Sequence, residues 1–249
     1  MTRLLPTTAV ALTLLASSSA LAAEPSTTDP SATPPTSTTS RLSNETTHTV
    51  SARVVYVGII RTKPLRTARA IGRLHQLTED GLPEVYLALR KHVDENGREW
   101  TQIRIPGRPN GRTGWVEREW LGKFMTTKWR ILVNRKTQHM TVSFNGKKRK
   151  RFPVGIGKRS TPTPAGRFWI REKLRVRDKN SPYFPYALGT ANYSVLSEWP
   201  GGGVVGIHGD WNQPQLIPGR PSHGCIRMLD RQIGWLATHV PVGTPLRIL

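Results

Sequence analysis

The chain has 249 residues, a formal net charge of +21 at pH 7 and a single cysteine. One cysteine excludes an internal disulfide, which makes either an intermolecular link or a working thiol the alternatives to consider. The sequence has no apolar stretch of the roughly 20 residues that a membrane-spanning helix needs.

The N-terminus has the order of a secretory signal, in which a basic residue precedes an apolar run and then small residues. Arg3 is followed by a largely apolar run at 4–16, and residues 17–23 are Ser, Ala and Leu. We therefore expect residues 1–23 to be a signal peptide, with an uncleaved anchor as the alternative. The protein would then be exported to the periplasm or cell wall and be peripheral to the membrane at most.

Residues 24–48 are rich in Ser, Thr and Pro and offer little to bury, so we expect a disordered linker. The first 48 residues are nearly neutral, so the positive charge lies almost entirely in the remainder. For an exported protein this charge favours wall polyanions or anionic headgroups as partners, and not nucleic acid. The densest basic run is 147–151, for which a solvated hairpin end is the simpler interpretation.

The segment 49–125 alternates short apolar stretches with turn residues, which predicts a small β-barrel. Strands are predicted at 54–57, 85–89, 100–103 and 114–116. A Trp-containing strand, a Gly-rich loop and Gly-Trp-Val at 114–116 resemble bacterial Src-homology-3-like domains of wall proteins. This resemblance implies a wall-binding or positioning module, and a packing spacer without a ligand is the alternative.

A second strand-rich pattern covers 127–249, so the whole fold is predicted to be dominated by β-structure. Asn145-Gly146 is a strong hairpin-turn signal, and Asp230 is predicted to cap a helix. Strands are predicted at 129–133, 140–144, 152–157, 166–170, 204–208 and 245–249. The aromatic-rich stretch 175–203 has few regular signals, which is typical of a lid.

His208 ends a predicted strand, and Cys225 follows seventeen residues later in the sequence Ser-His-Gly-Cys. A free thiol has a pKa of about 8.5, so a nucleophilic cysteine needs a neighbouring base, here His208 or His223. The N–H groups of Gly224 and Cys225 are predicted to face a developing oxyanion. A zinc site that includes Asp210 is disfavoured, because the usual zinc-ligand spacings are absent.

His208, a spacer and Ser-His-Gly-Cys-Ile-Arg at 222–227 resemble the signature of L,D-transpeptidases, which cross-link peptidoglycan. The match extends to Gly-Ile-Gly-Lys at 155–158 and to Thr-Pro-Thr-Pro-Ala-Gly-Arg-Phe at 161–168. It covers residues 127–249 and implies a β-sandwich with one or two short helices. The family chemistry implies no metal and no organic cofactor.

The resemblance implies that Cys225 is the nucleophile, His208 the general base and the Gly209 carbonyl the group that orients the base. The loop around the thiol would be formed by Ser222, His223, Gly224 and Arg227. Many family members have Asn at position 227, so Arg227 has two candidate roles, a substrate contact or a structural ion pair. The aromatic residues predicted to contact substrate are Tyr186, Tyr193 and Trp211, and for Trp211 the alternative is a rim aromatic that only covers the core.

The implied reaction begins with attack of the thiol on a peptidoglycan stem tetrapeptide and release of D-Ala. Transfer of the acyl group to a second stem's amine then gives a 3→3 cross-link. Transfer to water would instead make the protein an L,D-carboxypeptidase. A non-catalytic wall-binding scaffold is the alternative from another functional class.

Overall fold

The computed structural model of the protein describes residues 36–198, 200–210 and 213–249. The predicted signal peptide and the first part of the linker lie outside these residues. Strands dominate the described part, as predicted, and form two sheets. The strands of the first sheet are β1 (Thr38–Arg41), β2 (Thr49–Arg53), β3 (Ile59–Arg61), β4 (Ala70–Arg73), β5 (Val85–Val93), β6 (Glu99–Arg104), β7 (Thr113–Glu117) and β8 (Met125–Thr127).

The second sheet accounts for most of the predicted catalytic region. Its strands are β9 (Trp129–Asn134), β10 (His139–Phe144), β11 (Lys147–Pro153), β12 (Gly155–Gly157), β13 (Gly166–Arg175), β14 (Tyr186–Tyr193), β15 (Val204–Gly209), β16 (Gly219–Ser222), β17 (Ile226–Met228) and β18 (Pro245–Ile248). The described residues also contain one α-helix, α1 (Asp230–His239), and short 3₁₀-helices at Arg118–Trp120, Pro200–Gly203 and Pro214–Leu216. Within these residues no helix has the length and apolar character needed to cross a membrane.

The first sheet has the strand order β4-β3-β7-β6-β5-β2-β8, and β1 pairs with β5. The linker prediction is therefore wrong for the end of segment 24–48. A strand needs backbone partners more than apolar side chains, and β5 provides them for Thr38–Arg41. Just after β1, the Ser43 hydroxyl accepts the Val50 N–H of β2 at 2.8 Å. Glu45 adds an ion pair to Arg104, with Oε1 at 2.7 Å from Nε.

The predicted strand at 54–57 is also wrong, because β2 ends at Arg53. Val55, Tyr56 and Val57 are exposed, so this apolar run does not mark a buried strand. The other three strands predicted in the first region lie within β5, β6 and β7. The kinship of this sheet to Src-homology-3-like domains stays a prediction.

The second sheet has the order β11-β10-β9-β18-β13-β14-β15-β17-β12-β16. The predicted Asn145-Gly146 turn joins β10 to β11, and both residues have positive φ, at 49° and 75°. Such values suit the turns that match the twist of a two-stranded hairpin. The basic run 147–151 lies on the edge strand β11 with its side chains exposed.

Each sheet has its own apolar core, and the two sheets pack together. The core of the first sheet includes Tyr86 and Ile103, whereas Leu87, from the opposite face of β5, belongs to the core of the second. Trp169 on β13 donates from its indole Nε1 to the Val85 carbonyl at 2.6 Å. Because side chains alternate across a strand, β5 serves both cores at once.

Two further predictions for the second region need correction. The stretch 175–203 is not irregular throughout, because β14 occupies its centre and leaves two loops, 176–185 and 194–203. Asp230 is the first residue of α1 and not its cap, since Leu229 occupies the N-cap position without a side-chain bond. A carboxylate in the first turn still interacts favourably with the helix dipole.

Candidate active site

Two adjacent parallel strands bring the predicted base and nucleophile together. In the pairing of β15 with β17, Ile207 lies opposite Ile226 and His208 lies opposite Arg227. Cys225 immediately precedes β17, two residues from Arg227, and side chains two residues apart point to the same face of a sheet. His208 and Cys225 therefore lie diagonally across one face, and both line the same two cavities.

The His208 ring is buried and held in a defined orientation. Its Nδ1 lies 2.6 Å from the Gly209 carbonyl oxygen, so Nδ1 carries the hydrogen and Nε2 is the basic nitrogen of the neutral ring. Tyr183 packs edge-on against it with the ring centroids 5.0 Å apart. Burial lowers the pKa of His208, against the raising effect of the Gly209 and Pro182 carbonyls. The ring is therefore neutral, as a base must be.

Cys225 lies at the cavity wall and is partly exposed. Burial raises the pKa of the Cys225 thiol, while the Gly206 backbone N–H and the positive charge of Arg227 act in the opposite direction. The thiol is therefore protonated at rest, and a thiolate forms only by transfer of the proton to a base. His208 is the buried imidazole that shares its cavities.

The turn that carries the thiol is closed by Ser222. The Ser222 hydroxyl donates to the Cys225 carbonyl at 2.6 Å and accepts the Gly224 N–H at 3.2 Å. The Gly224 N–H is therefore occupied within the turn, which contradicts its predicted part in an oxyanion site. The N–H of Cys225 is the remaining candidate of the predicted pair. Gly224 has φ of +135°, a conformation that favours glycine.

Thr163 supports this turn from the Pro-rich segment and was missed by the sequence analysis. Its buried hydroxyl donates to the Gly224 carbonyl at 2.7 Å and accepts the Gly157 N–H at 2.9 Å. One side chain thus links the 161–164 turn and β12 to the nucleophile turn. The signal available in the sequence was a threonine between two prolines, in a turn where it has no apolar surface to cover.

Arg227 forms the structural ion pair that was one of its two predicted roles. Its Nη1 lies 3.2 Å from Oδ2 of the buried Asp210 and 3.0 Å from Oε1 of Gln213. Arg227 also lines the first cavity together with His223, which is exposed. Both side chains can therefore reach a ligand there.

Two cavities meet at His208 and Cys225 and differ in charge. The first has a volume of about 230 Å³, and its polar residues include Ser194, Ser222, His223 and Arg227. The second, of about 200 Å³, is lined by the carboxyl groups of Asp80 and Glu172. Burial, together with the charge of Asp80, raises the pKa of Glu172 to about 7. The first cavity thus carries the Arg227 guanidinium and the second carries two carboxyl groups.

Tyr186 and Tyr193, which were predicted to contact substrate, do not line these two cavities. Tyr193 is buried at the junction of the two sheets, where its hydroxyl bonds to Glu79 and Arg171. Tyr186 packs against the second core. Among the described residues that line the two cavities, the aromatic one is Tyr183 instead. Trp211 lies outside the described residues.

The predicted ligands of a disfavoured zinc site are not arranged for one. Across 36–198, 200–210 and 213–249, no group of three or more His, Cys, Asp or Glu side chains is placed to hold a metal ion. Asp210 is engaged by Arg227, and His208 by Gly209. The thiol of Cys225 and the imidazole of His208 both line the two cavities.

Comparison with known proteins assigns this site to a family. The model of the YkuD L,D-transpeptidase catalytic domain matches residues 128–248. The putative L,D-transpeptidase YkuD of Bacillus subtilis is 33% identical over 123 residues, which cover 49% of this chain and 67% of that protein. The chain belongs to the YkuD family of L,D-transpeptidases.

Other L,D-transpeptidases are similar to about half of the chain. L,D-transpeptidase 1 of Mycobacterium tuberculosis is 34% identical over 118 residues, 44% of this chain and 45% of that protein, so less than half of that relative is spanned. The solved catalytic domain of the Enterococcus faecium L,D-transpeptidase is 29% identical, with a TM-score of 0.39 over 49% of this chain and 96% of that one. The family model, which matches residues 128–248, covers the second sheet and its site.

Proposed function

We propose that this protein is an exported L,D-transpeptidase in which Cys225 forms an acyl-enzyme with a peptidoglycan stem tetrapeptide. One observation carries the proposal. The only cysteine of a YkuD-family chain shares two cavities with a buried histidine whose Nδ1 is held by a backbone carbonyl. This is the arrangement that general-base activation of a thiol requires.

In the first half-reaction the thiol proton passes to Nε2 of His208. The sulfur then forms a bond to the carbonyl carbon of the third stem residue, and the bond to the nitrogen of D-Ala breaks. His208 returns the proton to that nitrogen, and D-Ala leaves as the free amino acid. The Cys225 N–H is our candidate donor to the developing oxyanion.

The pKa shifts of Cys225 and His208 favour transfer of the thiol proton at the moment of attack. They disfavour a thiolate–imidazolium ion pair that exists before substrate enters. Burial raises the pKa of Cys225 and lowers that of His208, so both groups are neutral before substrate enters. A protonated thiol is protected from unproductive oxidation in an extracytoplasmic compartment. Because the thiol is protonated at rest, loss of His208 would leave almost no Cys225 thiolate to attack the substrate.

In the second half-reaction a side-chain amine of another stem attacks the thioester carbonyl. As the C–N bond forms, the attacking amine gives a proton to His208; the bond to the Cys225 sulfur then breaks, and His208 passes that proton to the departing sulfur, which yields a 3→3 cross-link and restores the neutral thiol and imidazole. The carboxyl groups of Asp80 and Glu172 in the second cavity favour binding of an incoming amine, which attacks as the free base after its ammonium proton has passed to water. Water in the same position would make the protein an L,D-carboxypeptidase.

The surface and the N-terminus support the location and partners that we propose. The signal-like order of residues 1–23 favours export, and the net charge of +21 favours attraction to wall polyanions. The exposed run Lys147-Lys-Arg-Lys-Arg151 on the edge strand β11 is the densest part of this charge. Its replacement by glutamine should weaken binding to purified sacculi at low salt, and unchanged binding across a salt series would contradict this contact.

The proposal is tested by D-Ala release from disaccharide tetrapeptide, with and without an amine acceptor. We expect Cys225→Ala to release none and His208→Ala to lose about 1,000-fold or more, because base catalysis typically contributes 100- to 10,000-fold. His223→Ala should lose far less. Greater loss for His223→Ala would transfer the role of base to His223. Retention of activity by Cys225→Ala, or wild-type inactivity on all stems, would refute the proposed reaction.

A further inference from the structure

The loop 194–203 connects β14 to β15. Its two end residues, Ser194 and Gly203, meet in a narrow neck of the loop. Ser194 donates from its backbone N–H to the Gly203 carbonyl at 2.8 Å, which closes the neck. Both residues line the cavity that contains His208 and Cys225. The conformation of this neck therefore affects the wall against which a stem peptide would lie.

Arg108 reaches this neck from the first sheet. Its Nε and Nη2 donate to the Ser194 carbonyl at 3.1 and 2.6 Å, its Nη1 donates to the Gly202 carbonyl at 2.9 Å, and Nη2 also contacts the Leu196 carbonyl at 3.3 Å. All three guanidinium nitrogens thus bond to backbone oxygens on both sides of the loop. The planar fork of arginine suits such a set of fixed acceptors better than a lysine ammonium does.

A second side chain from the same loop of the first sheet reinforces this contact. Asn110 accepts the Tyr193 N–H at 3.0 Å and donates to the Tyr193 carbonyl at 2.8 Å. The Asn110 amide thus makes the two hydrogen bonds to Tyr193 that a residue of a neighbouring strand would make. Residues 108–110 therefore fix the backbone at the point where β14 ends and the loop begins.

The neck is connected directly to the nucleophile turn. The Ser194 hydroxyl donates to the His223 carbonyl at 3.2 Å, two residues before Cys225. A Cβ atom at Gly224 would lie 3.2 Å from the same hydroxyl, so the turn and Ser194 are in close contact. A path of two hydrogen-bonded links, from Arg108 to Ser194 and from Ser194 to His223, thus leads to the turn that carries the thiol.

Gly203 shows how closely the guanidinium fits. Its φ is +81°, and a Cβ atom there would lie 2.0 Å from the Leu196 carbonyl oxygen and 2.6 Å from Arg108 Nη2. Only glycine leaves room for the arginine and the closed neck together. The local sequence Gly201-Gly-Gly203 is thus explained at its last position by the contact with Arg108.

We propose that Arg108 is a positioning residue for the transpeptidase site, through which the first sheet holds the 194–203 neck and the nucleophile turn in their reactive geometry. This inference rests on the proposed function. It gives the first sheet a role in turnover that needs no ligand of its own. Arg108 does not contact the reacting atoms, so its effect should appear in the rate of turnover more than in substrate affinity.

The test compares the full chain with Arg108→Gln and Arg108→Lys in D-Ala release from disaccharide tetrapeptide. Misplacement of a catalytic group by about 1 Å can cost roughly 100-fold, so we expect Arg108→Gln to lower kcat about 10- to 100-fold with little change in KM. Arg108→Lys should recover part of the loss. The control is Arg69→Gln, the same charge change at an exposed position of the first sheet, which should leave kcat unchanged.

A double-mutant cycle with Ser194→Ala separates positioning from general destabilisation. If Arg108 acts through Ser194, the double variant should lose much less than the product of the two single losses. Unchanged kcat in a cooperatively folded Arg108→Gln, or purely multiplicative losses in the cycle, would overturn the inference. Should Arg108→Gln fail to fold cooperatively, Arg108→Lys decides by the same criteria. An inactive wild type would count against the proposed function and not against this contact.

Discussion

Replacement of Thr163 by valine tests whether the Pro-rich turn supports the nucleophile turn. Valine has nearly the same shape but removes the hydroxyl, so the Gly157 N–H and the Gly224 carbonyl each lose a partner in a buried environment. An unsatisfied buried polar group costs about 1–3 kcal/mol. Two such groups give an expected loss of about 2–6 kcal/mol in the free energy of unfolding, with relaxation of the turn favouring the lower value.

The control is Thr161→Val in the same turn. The Thr161 hydroxyl is buried and has no hydrogen-bond partner among the described residues, so its removal leaves no group unpaired and should be neutral or stabilising. Urea unfolding followed by tryptophan fluorescence measures both variants. We also expect Thr163→Val to slow D-Ala release at saturating substrate, because the Gly224 carbonyl adjoins Cys225. A destabilisation below about 0.5 kcal/mol, or equal effects of the two substitutions, would refute this reasoning.

Three further outcomes are expected. Because the pKa of Glu172 is raised from 4.5 to about 7, the folded state binds its proton more tightly, and this contribution to stability is complete below pH 4.5 and lost as pH rises through 7. Glu172→Gln should therefore match wild type at pH 4 in urea unfolding and exceed it at pH 8 by up to about 3 kcal/mol; equal stability at both pH values would contradict the raised pKa. Gly209→Ala should destabilise the protein and abolish turnover, because its Cβ would lie 2.1 Å from the Phe184 carbonyl oxygen, and a normal melting temperature would count against this packing. Finally, kcat/KM for D-Ala release should not fall as pH rises from 6.5 to 8, since a neutral His208 is the active form; a fall over this range would indicate that the imidazolium is required.

The sequence predicted best where local pattern and structure coincide. The alternation of apolar and polar residues around Trp129, Ile131 and Val133 predicted β9. Asn145-Gly146 predicted the turn between β10 and β11. Both are predictable because side-chain alternation and turn conformation are local properties of the chain. The same logic failed at residues 54–57, where an apolar run lies exposed. The linker prediction failed at its end for the opposite reason, since β1 is held by backbone pairing with β5 that composition does not reveal.

The sequence motif predicted the two central residues of the site, but it did not predict the residues that support them. His208 and Cys225 stand in a recognisable pattern, and the register of β15 and β17 brings them to one face. Thr163 and Arg108 act through contacts with residues 61 and 86 positions away in the chain, and no local periodicity reports such a distance. Tyr193 was assigned to substrate because aromatic residues often line pockets, but its hydroxyl satisfies a buried arginine instead.

The central claim is that Cys225 is acylated by the stem peptide, and intact-protein mass spectrometry tests it most directly. Full-length wild type would be incubated with disaccharide tetrapeptide, quenched in acid and compared with Cys225→Ser and His208→Ala. We expect wild type to gain the mass of the substrate less D-Ala, mapped to Cys225 and removed by hydroxylamine, and His208→Ala to gain it far more slowly. No adduct on wild type under conditions that release D-Ala, or an adduct mapped to another residue, would contradict the account.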